Sequence, residues 1–251
     1  MALLMAVSGC APYRKLERDI RQAAAERNHH SGFVLYDPLT RKVLADVNGD
    51  RYFTPASNTK ILTLYAGMTM LGDSVPALRY RVNGDSLIFT GTGDPSLLNP
   101  DTYASNSVIS LLSNFNGNLY LAPAATAPER YGPGWAWDDF DAYYQPERSA
   151  FPIYGNTIRV NGRKVVPALF TDSVRWLADA PVARDVSVNR FNIDSTRKKS
   201  VTIPFRTSDQ LLARLLADTV KKPVTLLGKP LQQPYQLMKR VPADSLFRTM
   251  M

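Results

Sequence analysis

The sequence predicts an α/β protein with a long β-rich stretch, and three observations lead there. Residues 32–37 and 42–47 read as strands on either side of Asp37-Pro38-Leu39-Thr40, a turn-forming tetrapeptide. An uncharged run from Ile61 to Gly72 follows, with Ile61, Leu64, Met68 and Leu71 at helical spacing. Beyond it, short β-like segments alternate with Gly, Pro and Asn turns, interrupted by only a few helical patterns.

Taken in order, Tyr13 to Asn28 is rich in Arg, Glu, Gln and Ala. Leu16, Ile20, Ala23 and Ala24 share one face, which predicts an amphipathic helix. His29 and His30 stand where a helix-end histidine would meet the last carbonyls; no Asp, Glu or Cys sits beside them at metal-ligand spacing. After the two strands and the uncharged helix, residues 78–82 and 86–89 flank Asn83-Gly84-Asp85, a hairpin signal. Gly91-Thr92-Gly93 lacks the spacing and the terminal Gly-Lys-Ser/Thr of a phosphate loop and predicts a tight structural turn. Residues 105–115 read as a helix and 118–122 as a strand. Residues 123–155 are rich in Pro, Gly and aromatics. There Trp135, Trp137, Phe140, Tyr143 and Tyr144 either stack on sugars or pack a loop-rich module, and the second is expected. A second hairpin spans 157–160 and 164–169 across Asn161-Gly162, residues 200–205 read as a strand, and 208–220 as a helix capped by Ser208. Asp244 is an N-cap candidate for a short helix running to Met251.

The uncharged helix carries the chemistry. Apolar nearly all round, it is expected to be buried, and Lys60 is the charge at its start, three residues beyond Ser57. Residues three apart lie on one helical face. Desolvation favours a neutral lysine amine, and a neutral amine beside a serine hydroxyl is a base beside a nucleophile. Ser-x-x-Lys by itself also fits an N-capping serine and a lysine reaching to solvent.

Strand, turn, strand, loop and Ser-x-x-Lys helix is the order found in penicilloyl-serine transferases. Three ordered stretches narrow the resemblance: residues 32–37 through Ser57-Asn58-Thr59-Lys60, Gly91-Thr92-Gly93-Asp94-Pro95-Ser96-Leu97, and Trp135-Ala136-Trp137-Asp138-Asp139. Together they resemble the class C low-molecular-mass penicillin-binding proteins, the D-alanyl-D-alanine carboxypeptidase/endopeptidases, over about residue 32 to the last residue. The resemblance implies a β-lactamase/transpeptidase-like α/β domain, here incomplete, formed by residues 11–73 and 235–251. A large β-rich inserted region would occupy 74–234. It implies Ser57 as nucleophile, Lys60 as base, peptidoglycan stem peptides as substrate, β-lactams as covalent inhibitors and no cofactor or metal. The family's later Ser-x-Asn and Lys-Thr-Gly motifs are expected after the helix at 244–251. Lys-Thr-Gly has no match in the 251 residues, and the one Ser-x-Asn, Ser187-Val188-Asn189, falls inside the β-rich region. A fragment or truncated chain, weakly active or inactive, is therefore expected. The competing expectation is a non-catalytic, surface-anchored wall-binding remnant; a β-lactamase-type hydrolase is disfavoured by the long region separating the motifs.

Thirty Lys and Arg against 22 acidic residues give a formal charge of +8, compatible with an acidic polymer as partner. No basic block exceeds Arg197-Lys198-Lys199, so nucleic acid is not expected. The single cysteine, Cys10, excludes an intrachain disulfide. It follows the apolar residues 2–9, and Val7-Ser8-Gly9-Cys10 resembles a bacterial lipobox without a basic leader. That pattern predicts residues 1–10 as signal and lipobox, lipidation at Cys10 and a periplasmic protein meeting the membrane through its lipid anchor; an ordinary buried cysteine is the alternative. Labelled palmitate fed to an expressing bacterium should mark the wild-type protein and not Cys10→Ala. Equal label on both removes the lipidated reading.

Overall fold

A computed structural model describes residues 11–102 and 106–251, so Cys10 and the lipobox lie outside the described residues. The chain divides into two compact units, residues 1–59 and 60–251.

In the first unit, α1 (Ala11–Glu26) packs on the hairpin β1 (Phe33–Asp37) and β2 (Lys42–Val47). The alternation of β2 buries Ala45 and Val47, each 1% exposed. Polar contacts fix the helix on the hairpin: the Asp46 amide donates to Glu17 Oε1 at 2.7 Å, and Arg21 donates to the Asp46 carbonyl at 3.1 Å. The helix ends two residues earlier than its apolar pattern suggests, because Asn28 turns left-handed at φ 51°. His29 closes it with its backbone amide, donated to Ala24 O at 2.9 Å. The His30 ring stacks on Phe53 at 4.3 Å, so it is an aromatic contact rather than a helix-end donor.

The second unit opens with α2 (Lys60–Leu71), then β3 (Ser74–Asn83) and β4 (Ser86–Gly91), a hairpin turning at Gly84. It continues through α3 (Ser107–Asn114), β5 (Asn118–Leu121), β6 (Thr157–Asn161), β7 (Lys164–Val166), β8 (Val174–Leu177), β9 (Ala183–Arg184), β10 (Phe191–Asp194) and β11 (Val201–Pro204). The last elements are α4 (Asp209–Val220), β12 (Val224–Leu226), β13 (Gln236–Pro242) and α5 (Ala243–Met250).

Five strands form the main sheet in the order β12-β5-β4-β3-β13. Parallel pairing of β4 with β5 needs a crossover, and α3 supplies it. The main-sheet core is Leu78, Leu87, Phe89, Leu119 and Leu121 from the strands, with Leu112 of α3 and Leu216 of α4, none more than 2% exposed. Two three-stranded sheets, β11-β6-β7 and β8-β10-β9, extend the same core through Ile158, Ile203, Phe191 and Ile193. The expected cap of α4 is present, Ser208 Oγ accepting from the Leu211 amide at 3.1 Å. Asp244 is not the cap of α5: that helix starts at Ala243, directly after Pro242, which leaves Asp244 in the first turn beside the positive end of the helix dipole.

One expectation fails outright. No residue of α2 is buried, with Ile61 58%, Leu62 72% and Met70 82% exposed. Its contact is with α5, where a Cβ on Gly67 would stand 2.6 Å from the Phe247 ring. A two-turn helix cannot cover an apolar cylinder on all sides.

Two measurements test this packing. Phe191 is fully buried and meets the Phe170 ring edge-on at 5.7 Å, so Phe191→Ala should destabilise the second unit by ~3–5 kcal/mol in urea denaturation. In the first unit, the Thr40 hydroxyl and then the Leu39 amide hold the Asp37 carboxyl below the usual carboxylate range. Its contribution is present above the unfolded-state value of about 3.9 and is lost as pH falls through the lower folded value. The difference in melting temperature between wild type and Asp37→Asn should therefore narrow on acidification; a constant gap would show that the turn does not depend on the charge.

Candidate active site

Ser57 is the first residue of a 3-10 turn, Ser57–Thr59, that precedes α2. It is neither an N-cap nor inside the α-helix. The turn is set by its own residues: Asn58 Oδ1 accepts from the Ala56 amide at 2.9 Å, and the Thr59 amide and hydroxyl both donate to Ala56 O, at 3.2 and 3.0 Å. Ser57 is exposed, while Lys60 opens α2 half-buried. Ser57 belongs to the first compact unit, which ends at Thr59, and Lys60 begins the second.

The Ser-x-Asn candidate has a structural task. Asn189 accepts the Arg206 amide at 2.6 Å and donates to the Arg206 carbonyl at 2.9 Å, while the Arg206 side chain reaches Ser187 O at 3.1 Å. With both ends of its amide engaged, Asn189 ties the segment before β10 to the segment after β11.

The Gly91–Leu97 segment turns later than expected: Gly91 closes β4, Gly93 is a bend, and the turn itself runs over residues 95–98. Asp94, 6% exposed, accepts from the Ser96 amide at 2.9 Å and the Ser96 hydroxyl at 3.0 Å. Gly93 has φ 88° and donates its amide to Ala150 O at 2.7 Å. A Cβ on Gly91 would lie 2.5 Å from that same carbonyl, so this segment and residues 150–151 fit only around glycine.

Residues 135–144 correct the packing expectation. Trp137 is 79% exposed, Tyr143 70% and Tyr144 59%, the two tyrosines meeting edge-on at 5.3 Å. A polar network holds this loop in place of aromatic packing. Gln145 donates to Ala136 O at 2.7 Å, and buried Arg184 donates to Phe140 O at 3.2 Å while its guanidinium lies 5.0 Å from the Phe140 ring centre. Burial lowers the Arg184 pKa from its ordinary value, with Tyr131 and Glu147 opposing, and burial raises that of Tyr131. Glu147, 3% exposed, accepts from the Thr207 amide and hydroxyl, each at 2.8 Å, and pairs with Arg130 at 3.7 Å. Nothing in the local sequence marks Arg184 or Glu147 as buried, since both partners lie far along the chain.

The model of the D-Ala-D-Ala carboxypeptidase 3 (S13) family matches residues 14–202. The D-alanyl-D-alanine carboxypeptidase DacB of Haemophilus influenzae is 26% identical over 136 residues, which cover 50% of this chain and 28% of that protein. The D-alanyl-D-alanine carboxypeptidase of an Actinomadura species is 29% identical over 137 residues, covering 49% of this chain and 25% of that protein. Among solved structures, penicillin binding protein 4 (dacB) from Haemophilus influenzae superposes with a TM-score of 0.62 at 21% identity, over 88% of this chain and 58% of that one. The same protein complexed with a novel β-lactam gives a TM-score of 0.55 at 20% identity, over 88% of this chain and 56% of that one. The α/β, transpeptidase-like fold class expected from the sequence is thus the observed one. The matched region spans less than two thirds of each of these relatives. With its three motifs in order and a family match across most of its length, the chain belongs to the D-Ala-D-Ala carboxypeptidase 3 (S13) family.

Proposed function

We propose that this chain carries the nucleophile of a serine-type D-Ala-D-Ala carboxypeptidase/endopeptidase acting on peptidoglycan stem peptides. The observation that carries the reading is Ser57-x-x-Lys60 at the mouth of an uncharged helix, in a chain of this family. Ser57 Oγ attacks the carbonyl carbon of the penultimate D-Ala, and the Lys60 amine takes the hydroxyl proton. The Ser57 amide helps to hold the oxyanion. The peptide C–N bond breaks, the terminal D-Ala leaves as a protonated amine, and water hydrolyses the acyl-enzyme. β-Lactams would acylate the same oxygen. Residues 11–73 and 235–251 belong in this reading to the penicillin-binding domain, with 74–234 inserted. The protein would work in the periplasm, held to the membrane by lipid on Cys10.

A second reading, a non-catalytic wall-binding remnant, draws support from α2: with no residue of that helix buried, these 251 residues do not enclose the base.

Fluorescent penicillin separates the two. The 251-residue chain should label very weakly, since loss of one transition-state donor already costs ~10²–10³ in rate. A chimera continued after Met251 with the corresponding C-terminal segment of the Haemophilus influenzae relative should label strongly, and lose the label in Ser57→Ala and in Lys60→Ala. A dark chimera favours the remnant. Strong, Ser57-dependent labelling of the 251 residues alone would turn attention to Asn189.

A further inference from the structure

A cleft of about 870 Å³ opens in the second unit between the end of β3 and β4 and the loops at 123–135, 146–156 and 230–235. It lies within the range of ~300–1,000 Å³ common for small-molecule sites. Two guanidinium groups line it. Arg79, on β3, stands 5.8 Å from the ring centre of Tyr235, and the exposed Arg148 lies on the facing loop. Neither has a carboxylate partner among the described residues. The acidic residue of the lining, Glu147, is buried and already held by Arg130 and Thr207. The cleft therefore presents uncompensated positive charge beside two aromatic faces, Tyr235 and the 43% exposed Trp135.

The walls also limit how a ligand is held. β3 is hydrogen-bonded to β4 and β13, and β4 to β3 and β5, so neither strand offers a free edge to an extended peptide. Six lining residues are prolines, which have no amide hydrogen to donate. Beside neutral lining side chains such as Thr92, Thr126 and Ser149, the cleft offers ring faces for stacking and charge-assisted hydrogen bonds from the arginines, a combination suited to sugar rings that carry carboxylates.

We propose that this cleft binds a carboxylate-bearing oligosaccharide, with Arg79 and Arg148 on its acid groups and Tyr235 and Trp135 on its ring faces. Choosing the peptidoglycan glycan as that oligosaccharide rests on the reading under Proposed function; the cleft itself does not involve Ser57. A stem peptide is joined to muramic acid through an amide of the same carboxyl, so the cleft would hold peptide-free residues of the glycan strand, whose carboxylates are free, while a stem peptide on another residue is processed elsewhere on the protein.

The test is calorimetry on the full 251-residue chain carrying Ser57→Ala. The probe is a peptide-free tetrasaccharide of alternating N-acetylglucosamine and N-acetylmuramic acid. It should bind, more weakly as salt rises, and uncharged chitotetraose should bind at least about tenfold more weakly, as for loss of charge-assisted hydrogen bonds. Arg79→Gln and Arg148→Gln should each weaken binding by about tenfold, and Arg79→Lys by less. Arg148 is exposed, so its substitution keeps the test valid if Arg79→Gln disturbs folding. Equal affinity for chitotetraose, unchanged binding in the Arg148 variant, or equally tight binding of a stem pentapeptide alone would overturn the proposal. Because no turnover is read, a negative result leaves Ser57 labelling untouched, and failed labelling leaves this result untouched.

Discussion

The second unit depends on how its chain returns to the place it left. β3 starts at Ser74, directly after the α2 segment, and β13 ends at Pro242, directly before α5. The two strands pair antiparallel along nearly their whole length, Ser74 opposite Pro242 and Tyr80 opposite Gln236. Ala243 then donates its amide to Asp73 O at 3.0 Å, closing the ends. Everything from β4 to β12 is thereby tethered at one neck. The same closure brings α5 against α2, and Gly67 lets Phe247 come close because any side chain there would occupy the ring's place.

Pro76 shows what this neck requires. A proline has no amide to give and is disfavoured within a sheet, yet β3 contains one between Val75 and Ala77. It is accommodated because pairing with β4 begins only at Leu78, and the β13 register slips twice, around Lys239. The Pro76 carbonyl is not wasted either: the Thr92 hydroxyl donates to it, linking the neck to the Gly91–Leu97 segment. That segment is joined to Ala150 by the Gly93 amide and to Tyr154 through the Leu97 carbonyl. Asn156, 4% exposed, donates to Glu147 O and Ser149 Oγ, each at 2.9 Å. Buried polar groups thus order the long loops that apolar packing does not reach, as such groups must when they are paired.

This division explains what was readable in the sequence. Elements with local signals were legible: the β1–β2 turn at Asp37, the Gly84 hairpin, the Ser208 cap, and the α3 helix and β5 strand, though not the parallel pairing of β5 with β4. The start of β3 was hidden by Pro76, which reads as a strand breaker unless its irregular partner is known. β8, β9, β10, β12 and β13 are short or follow Pro-rich segments, and their pairing is set by partners far along the chain, β13 with β3 above all. At the candidate site, Ser57 and Lys60 were legible as a motif, but the 3-10 turn that places Ser57 outside the helix was not. The exposed aromatics at 137–144 misled because large rings are usually packed; here Arg184 and Gln145 hold the loop and leave the rings outside.

The same reasoning failed for α2 in a way that bears on chemistry. Apolar residues on every side of a helix imply cover on every side, but α5 has only two turns and meets α2 near Gly67. Ile61 and Leu62, the neighbours of Lys60, remain more than half exposed. Activating a serine by a lysine requires that water be kept from the amine, since hydration favours its charged form. A large exposed apolar face calls for a covering surface, and on α2 that face begins at the residue after the lysine. Residues one and two apart on a helix do not share a face, so Ile61 and Leu62 point away from the side of Lys60, and drying the base proposed there needs cover on more than one side of α2.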